Sequence, residues 1–318
     1  MGHALDIFRA LADATRLRVL ALLRSMELSV GELAQVLGQS QPRVSRHVKI
    51  LVDAGLAERR KEGSWVFVAL GRSERVGPVL AALDAWGQGE ADHWATADAA
   101  RLAAVRADRA AAASAWFEAH AGEWDAIRAL HVADEAVEAR MAALLGDARI
   151  GKLIDIGTGT GRMLELFADR AEAALGIDRS SEMLRLARAK LAEAGRQAEL
   201  RQADLYALPM AAGEADLAIL HHVLHFAQQP AAAIAEAARV LAPGGRLLVA
   251  DFAPHEREEL RQREAHVRLG FSDAQVIGWF EAAGLMPARV ETLEGGELTV
   301  KLWLGRKQAV DTPWEKAA

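Results

Sequence analysis

Apolar residues recur at helical spacing in four short segments at the beginning of the chain. The segments are residues 4–12, residues 14–25, a stretch that ends at Leu37, and residues 43–54. Ser29 and Glu32 have the spacing of a capping box at the start of the third segment, and Gly38 ends it. The third and fourth segments are separated by a turn of only a few residues. This arrangement predicts a helix-turn-helix.

Directly after these predicted helices, apolar and polar residues alternate instead of recurring at helical spacing. Residues 56–61 and 65–70 alternate on either side of Glu62-Gly63-Ser64, which is typical of a β-hairpin and predicts a wing. Residues 73–87 predict another amphipathic helix. The alanine-rich stretch from residue 91 to 145 predicts further helices, and its first part, residues 91–112, is interpreted as a helical linker because it lacks Pro and Ser runs.

After Gly151, short apolar strands alternate with amphipathic helices, which is typical of a parallel sheet covered by helices. The predicted strands are residues 152–156, 173–177, 199–202, 215–220, 246–251, 288–293 and 299–304. The whole pattern predicts an α/β chain with a winged helix-turn-helix domain at residues 1–90 and a second domain at residues 113–306. Residues 307–318 are expected to form a tail.

Composition agrees with a globular protein of two domains. The chain has 318 residues, of which 52% are hydrophobic and 26% charged. It has no apolar run of the roughly 20 residues that a membrane helix needs, and its first residues lack the order of a signal peptide, so we expect a cytoplasmic protein without a membrane partner. The absence of cysteine excludes disulfides, thiolate nucleophiles and sulfur ligands for metals.

Charge is distributed unevenly. Residues 1–70 contain ten Lys or Arg and seven Asp or Glu, which gives a net charge of +3. Because the whole chain has a net charge of −6, residues 71–318 have a net charge of −9. The cations concentrate in one short region: Arg43, Arg46, Lys49, Arg59, Arg60 and Lys61. This distribution suggests a polyanion contact at the N-terminal domain, although a solvated basic face explains the charge equally well.

The fourth predicted helix carries side chains that can read base edges in the major groove of DNA. These candidates are Gln41, Arg43, Ser45, Arg46, His47 and Lys49. Val44, Val48 and Leu51 fall on the opposite face and can pack on the preceding helix. Near the tip of the wing, Arg59, Arg60 and Lys61 can contact phosphate or the minor groove. A helix-turn-helix that serves only protein contacts remains the alternative.

Three stretches resemble the ArsR/SmtB family of winged-helix repressors: residues 10–20, residues 41–49 and the strand that ends at Leu70. The resemblance covers about residues 3–88. It implies a homodimer, formed by the first helix and the helix at 73–87, that binds a near-palindromic operator in double-stranded DNA. Ser29 and Gly31 stand where many family members have cysteines, so we expect no metal cofactor. For Asp92 and His93, a solvated helix end is favoured over a hard-metal site.

A glycine-rich turn follows the first strand of the second domain. It comprises Asp155, Gly157, Thr158, Gly159 and Gly161, and glycines there allow positive φ and a close approach of backbone to ligand. Position 162 is Arg, which breaks the dinucleotide fingerprint at its last glycine and argues against a nicotinamide or flavin dinucleotide. Asp178 follows the second strand, where a carboxylate can accept the hydroxyls of a ribose. Asp204 follows the third, where an acid can receive an adenine amine. Each acid taken alone could simply cap a turn or helix.

Residues 113–306 resemble the class I S-adenosylmethionine (SAM)-dependent methyltransferases that act on small molecules. The likeness rests on the glycine turn, Asp178, Asp204, residues 216–225 and Pro243-Gly244-Gly245. It implies a seven-stranded sheet of order 3-2-1-4-5-7-6 with an antiparallel last strand, and helices at 113–130 and 134–145 that form a lid. It implies SAM or S-adenosylhomocysteine (SAH) as the ligand. The implied contacts are Asp155 and the glycines for the methionine part, Asp178 for the ribose, and Asp204 with the backbone of Leu205 for the adenine. Thr158, Arg179 and His221 are further candidate contacts of the cofactor.

Histidines after the fourth strand are the candidates for a catalytic base, because methyl transfer needs alignment and at most a proton acceptor. They are His221, His222 and His225, of which His222 and His225 are preferred as the catalytic residues. His221 and His222 could instead pack against or line the cofactor. His131, His255 and His266 could line a substrate cavity, but a solvated or capping role is favoured for each of them.

Two functions fit these patterns. In the first, a transcriptional regulator couples SAM or SAH binding to operator binding. In the second, the domain is an active methyltransferase with a small-molecule acceptor, and DNA binding is autoregulatory. The first is favoured, because the cofactor residues are complete whereas no dedicated catalytic set is evident.

Overall fold

The computed structural model describes residues 2–62, 65–86, 93–120 and 134–309. The chain divides into two compact units, residues 1–111 and residues 112–318. The sequence-based limits of the domains, linker and tail stay predictions. His131 and Asp92 lie outside the described residues, as does the side chain of His93.

The N-terminal unit is a winged helix-turn-helix, as predicted. Its helices are α1 (Gly2–Leu11), α2 (Ala14–Ser25), α3 (Val30–Leu37), α4 (Gln41–Asp53), α5 (Ser73–Trp86) and the first part of α6 (His93–His120). Its strands are β1 (Leu28–Ser29), β2 (Ala57–Glu62) and β3 (Trp65–Leu70). They form an antiparallel sheet in the order β1-β3-β2, and β2 and β3 make the wing.

Local hydrogen bonds begin and end the helices of the helix-turn-helix. The Ser29 hydroxyl accepts from Glu32 N at 3.2 Å while the Glu32 carboxylate accepts from Ser29 N at 2.8 Å, so the predicted capping box is present. Gly38, with φ 65°, ends α3 in the left-handed conformation. Val44, Val48 and Leu51 of α4 are fully buried. Their burial leaves the polar face of α4 toward solvent.

The first part of α6 is packed into the N-terminal unit. Arg18 of α2 makes a bidentate pair with Asp98, at 2.7 Å and 2.6 Å, and its guanidinium lies 4.7 Å from the centre of the Trp94 ring. Leu102 and Val105 are buried in the same core as the helix-turn-helix. Residues that the sequence pattern suggested as a linker therefore contribute side chains to this core.

The C-terminal unit contains a seven-stranded sheet covered by helices. The strands are β4 (Ile150–Ile156), β5 (Ala171–Asp178), β6 (Glu199–Gln202), β7 (Ala215–His221), β8 (Leu241–Phe252), β9 (Leu285–Leu293) and β10 (Val300–Lys307). The helices are α7 (Asp134–Leu145), α8 (Arg162–Phe167), α9 (Ser181–Glu193), α10 (Pro230–Val240), α11 (Glu259–Arg263) and α12 (Asp273–Ala282), with a 3₁₀ turn at Leu224–Phe226.

The order β6-β5-β4-β7-β8-β10-β9 confirms the expected 3-2-1-4-5-7-6, because β4 is the first strand of this unit. β10 is antiparallel to both of its neighbours, as expected. β8 begins at Leu241, earlier than predicted, because Leu241 pairs with Ala215 before a shift of register. The expected lid helix at 113–130 can be compared only up to His120, where it is part of α6, because residues 121–133 lie outside the described part of the chain. No helix in the described ranges has the length and apolar character that a membrane span requires.

Removal of the Asp98 carboxylate should destabilise the N-terminal unit. Asp98→Ala leaves the guanidinium of Arg18 nearly buried without its ion-pair partner, so we expect the free energy of unfolding to fall by about 3–5 kcal/mol. Urea denaturation of the full chain, followed by circular dichroism, measures this loss. Asp84→Ala is the control, because Asp84 makes the same bidentate pair with Arg24 at the surface and should cause no measurable change. Equal effects of the two substitutions would contradict the assignment.

Candidate functional sites

The polar face of α4 presents most of the predicted DNA-reading side chains to solvent. Gln41, Arg43 and Arg46 are exposed, while Ser45 and His47 are partly buried. Lys49 is exposed and pairs with Asp53 at 2.9 Å. Arg43 and Arg46 are three residues apart and therefore lie on one face of the helix, one turn from each other.

The three basic residues of the wing differ in their surroundings. Arg59 donates to the carbonyl of Ser45 in α4 at 2.8 Å, and Lys61 is exposed. Arg60 lies on the opposite face of β2 and donates to both carboxylate oxygens of Glu27, at 2.8 Å and 3.0 Å. A DNA contact by Arg60, as predicted from the sequence, would require this ion pair to open.

An open cavity of about 590 Å³ lies between the start of α3, the start of α4 and the wing. Its lining includes Ser29 and Gly31, the positions of the missing cysteines, together with Gln41 and Arg59. The Ser29 hydroxyl caps α3, and Gly31 has no side chain to bind a metal. The cavity therefore combines hydrogen-bonding groups and a cation with the apolar side chains of Val30, Pro42 and Val66, and neither Ser29 nor Gly31 offers a soft ligand.

In the C-terminal unit, the glycine turn after β4 has the predicted conformation. Gly157, Gly159 and Gly161 have φ values of 72°, 52° and 88°. A Cβ atom at Gly157 would lie 2.6 Å from a methyl group of Val223. Asp155 is buried and accepts from the Thr158 hydroxyl at 2.6 Å. The turn is thus closely packed and holds its backbone in a conformation that favours glycine.

Asp178 fastens the glycine turn to the end of β5. One carboxylate oxygen accepts from Gly159 N at 2.9 Å and the other from Ser180 N at 2.8 Å. Burial raises the pKa of the Asp178 carboxyl, and these backbone N–H groups partly oppose the rise. A carboxylate has about four acceptor positions, and the backbone N–H groups of Gly159, Arg179 and Ser180 occupy three, so Asp178 can still accept a ligand hydroxyl group. The neighbouring Arg179 is exposed.

Asp204 has a role in its own turn. Its carboxylate accepts from Tyr206 N at 3.0 Å and its carbonyl accepts from Ala207 N at 3.0 Å, while the side chain stays exposed. Leu205 is partly buried against the sheet core. Asp204 therefore stabilises its own turn through these hydrogen bonds. Because its carboxylate remains accessible, the geometry also fits the predicted binding of an amine.

Arg162, at the position that breaks the dinucleotide fingerprint, is held by acids. It makes a bidentate pair with Glu138 of α7 at 2.7 Å and contacts Glu165 at 2.8 Å. These hydrogen bonds raise the pKa of Arg162. Its guanidinium therefore attaches α7 to the start of α8.

The predicted histidines form a buried aromatic cluster after β7. His221, His222 and His225 are all less than 10% exposed, and His222 has a φ of 53°, which is uncommon for a residue with a side chain. His266, for which the sequence analysis favoured a solvated or capping role over a cavity role, is not solvated: it is buried, with its ring centre 4.3 Å from that of His225. Phe252 lies 4.9 Å from His225.

Asp251 is the partner of His225 that the sequence analysis did not identify. His225 Nδ1 lies 2.8 Å from an Asp251 carboxylate oxygen, and Asp251 also accepts from Phe252 N at 2.8 Å and from His225 N at 3.3 Å. Burial of the fully enclosed carboxyl raises the pKa of Asp251 to about 6, and the nearby His222 opposes this rise. A signal was present, because Asp251 lies at the end of an apolar strand as Asp155 and Asp178 do.

Two histidines and a carboxylate are also a set that binds Zn²⁺ or Fe²⁺. One atom from each of His222, His225 and Asp251 lies within 4.8 Å of the others. An ion between His225 and Asp251 would have to replace their 2.8 Å hydrogen bond. The hydrogen-bonded pair is therefore the simpler assignment for this geometry.

The fold and the candidate sites together define two domains: a winged helix-turn-helix of the kind that binds DNA, and a domain with the fold of a methyltransferase. The model of the bacterial regulatory protein arsR family matches residues 13–59, and the model of the methyltransferase domain matches residues 154–249.

Three relatives extend these matches. The arsenic resistance transcriptional regulator ArsR1 of Pseudomonas putida is 40% identical over 103 residues, 31% of this chain and 77% of that protein. The demethylmenaquinone methyltransferase of Thermus thermophilus is 34% identical over 152 residues, 46% of this chain and 69% of that protein. The ubiquinone/menaquinone biosynthesis C-methyltransferase UbiE of Syntrophotalea carbinolica is 41% identical over 119 residues, 36% of this chain. The chain spans only half the length of this last relative.

Through its winged-helix domain, the chain belongs to the arsR family of bacterial regulatory proteins. In this chain the winged-helix domain is followed by a class I SAM-dependent methyltransferase domain.

Gly157→Ala tests the packing of the glycine turn. The positive φ costs about 1–2 kcal/mol for an L residue, and the added methyl group overlaps Val223, so we expect a lower midpoint of thermal unfolding. Gly278→Ala is the control, because Gly278 is exposed within α12 with open space around it, and this change should stabilise by roughly 0.5–1 kcal/mol. Scanning calorimetry of the full chain measures both. A Gly157→Ala midpoint equal to that of the wild type would refute the packing argument.

Proposed function

We propose that this protein is a DNA-binding transcriptional regulator whose methyltransferase domain binds SAM or SAH and couples this binding to operator binding. The observation that carries the proposal is the presence in one chain of an exposed polar recognition face on α4 and of a glycine turn held by Asp178. Neither part alone would make a ligand-dependent regulator.

The α4 face supports the DNA-binding role by its chemistry. Arg43 and Arg46 offer fork-shaped donors to guanine, and Gln41 offers an amide to adenine. Lys61 and Arg59 on the adjoining wing supply charge for the phosphate backbone. Exposed apolar side chains on α1, Leu5 and Phe8, fit the homodimer that the family likeness suggests.

The end of the parallel sheet supports the ligand-binding role. Asp155 anchors the glycine turn, Asp178 lies beside Gly159 N, and Asp204 is exposed after the next strand. Their order at the ends of the adjacent strands β4, β5 and β6 suits an amino-acid part, a ribose and a purine in that order. These residues fit SAM and SAH equally, because the two molecules share all three parts.

Helix α6 supports the coupling, because it contributes side chains to both units. In the N-terminal unit, Asp98 pairs with Arg18, and Arg101 donates to the carbonyl of Val36 at 3.2 Å, close to the turn between α3 and α4. In the C-terminal unit, Trp116 Nε1 donates to the carbonyl of Arg263 at 2.9 Å. We propose that a ligand-dependent change near Arg263 alters the helix-turn-helix through α6.

A second function, methyl transfer to a small-molecule acceptor, is favoured by one observation, the His225–Asp251 pair. The sequence analysis favoured a regulator because no dedicated catalytic set was evident in the sequence. In the methyl-transfer function, this pair would act as the proton acceptor of such a set.

Arg43→Ala tests base reading. Loss of a bidentate contact should weaken specific binding by about 1–3 kcal/mol, which is roughly 5- to 150-fold, while binding to random duplexes changes little. Electrophoretic mobility shifts with duplexes that the protein selects from a random pool give both affinities. Arg24→Ala is the charge-matched control, because Arg24 is an exposed arginine of α2 outside the α4 face. Equal losses on selected and random DNA would disprove base reading by Arg43.

Asp178→Ala tests ligand binding and coupling together. Removal of charge-assisted hydrogen bonds to the ribose should lower the affinity for SAM and for SAH together by about 1.5–3 kcal/mol, measured by calorimetry. One of the two ligands should shift operator affinity several-fold in the wild type, and Asp178→Ala should abolish this shift without altering DNA binding by the empty protein.

The control for this experiment is Asp169→Ala, because Asp169 is an exposed acid in a second 3₁₀ turn, Ala168–Arg170, that precedes β5. It should leave both ligand affinities and the shift in operator affinity unchanged. Tight ligand binding with constant operator affinity would defeat the coupling and leave methyl transfer as the function.

A further inference from the structure

The cavity between α3, α4 and the wing combines an apolar side with one cation. Val30, Pro42 and Val66 supply the apolar side, and Arg59 supplies the cation. Its volume of about 590 Å³ lies within the range of roughly 300–1,000 Å³ that is typical of small-molecule sites, which likewise join apolar side chains to a few polar groups. The cavity is therefore large enough, and mixed enough in its lining, for a small organic molecule.

The charges around the cavity favour an anion. Arg59 donates one N–H group to the carbonyl of Ser45 at 2.8 Å, which holds the guanidinium beside α4 and leaves further donors for a ligand. Helices α3 and α4 both begin at the cavity, so their positive N-terminal ends add to the charge of Arg59. Among the described residues that line the cavity there is no Asp or Glu to oppose this charge.

Gly31 keeps one side of the cavity open. It lies in the first turn of α3, and a Cβ atom built on it would meet the Ser29 hydroxyl at 3.9 Å, an ordinary van der Waals distance. Its φ is not in the left-handed region, so the backbone does not require glycine at this position. A larger side chain at position 31 is compatible with the helix and would occupy the space that a ligand needs.

We propose that this cavity binds a small organic carboxylate with an apolar body, and that this ligand competes with DNA. The planar guanidinium of Arg59 can donate two parallel hydrogen bonds to the carboxylate, and the apolar body lies against the three apolar side chains. Gln41 and Arg59 belong both to this cavity and to the proposed DNA interface, so they cannot serve both ligands at once. The competition rests on the proposed DNA-binding function, whereas the carboxylate site does not.

The first measurement is calorimetric titration of the full-length protein with benzoate, phenylacetate and hexanoate as probes. We expect saturable binding of at least one of them, and weaker binding of the corresponding neutral amide. Arg59→Gln should weaken this binding at least about tenfold, because it removes charge-assisted hydrogen bonds. Lys61→Gln is the control, because it removes the same charge from the same strand outside the cavity and should leave the affinity within about twofold.

Two outcomes of this titration would overturn the proposal. The first is that the wild type binds none of the three probes. The second is that Arg59→Gln and Lys61→Gln weaken binding equally, which would indicate a general attraction of anions to the basic wing instead of a site at Arg59.

The second measurement fills the cavity. Gly31→Leu should abolish binding of the carboxylate probe, whereas Gly278→Leu, which adds the same side chain at an exposed glycine of α12 with open space around it, should retain it. Circular dichroism checks that both variants are folded. Wild-type affinity of Gly31→Leu for the probe would overturn the location of the site, and Arg59→Gln tests the same location if Gly31→Leu does not fold.

The third measurement is DNA affinity, by fluorescence anisotropy with a duplex that the protein selects from a random pool. At ten times the dissociation constant of the probe, exclusive binding lowers the apparent DNA affinity about 11-fold. Sodium chloride at the same concentration is the control, because salt itself weakens DNA binding. Carboxylate binding with no loss beyond that of the salt would overturn the competition. Failure of the wild type to bind any duplex would instead refute the proposed function, and calorimetry would still decide the carboxylate site.

Discussion

Parallel pairing of β4, β5, β7 and β8 is the constraint on which the candidate ligand site depends. It brings the carboxyl ends of the four strands to one edge of the sheet, so that Asp155, Asp178, His221 and Asp251 converge although they are far apart in sequence. An acid at a strand end would normally be solvated. Here the adjoining turns bury these carboxylates or donate hydrogen bonds to them. Because burial disfavours the charged form, the pKa values of Asp178 and Asp251 are raised.

The sequence pattern predicted those structural features that depend on residues close together in the chain. The capping box at Ser29, the left-handed Gly38 and the positive φ values of the glycine turn follow from residue types within a few positions. The sheet order followed from the family likeness. The pairs Arg18–Asp98, Arg60–Glu27 and Arg162–Glu138 join residues that are 80, 33 and 24 positions apart, and no periodicity marks such partners. The sequence therefore indicated that Arg60 was a free wing cation, whereas the fold pairs it.

Regulation and catalysis make different demands on the same candidate ligand site. A regulator needs a ligand with different affinities for two states of the protein, whereas an enzyme needs stronger contacts in the transition state than with the bound substrate. SAM and SAH differ only at the sulfur, and the His222–Phe226 segment packs beside the glycine turn where that sulfur is expected. An active domain would convert one of its two effectors into the other, so the two functions are compatible in one molecule.

The strengths of the contacts along α6 decide where a ligand signal can act. Coupling free energies between sites are typically about 1–3 kcal/mol. Breaking the nearly buried Arg18–Asp98 pair would cost about 3–5 kcal/mol, more than a ligand of that kind supplies. The hydrogen bond from Trp116 to the carbonyl of Arg263 contributes only about 0.5–1.5 kcal/mol, because its atoms are partly exposed. Since α11 ends at Arg263 and His266 packs on His225 three residues later, the weaker contact lies on the ligand side. In the proposed coupling, the change in α6 should therefore begin at Trp116 and reach the helix-turn-helix without opening the Arg18–Asp98 pair.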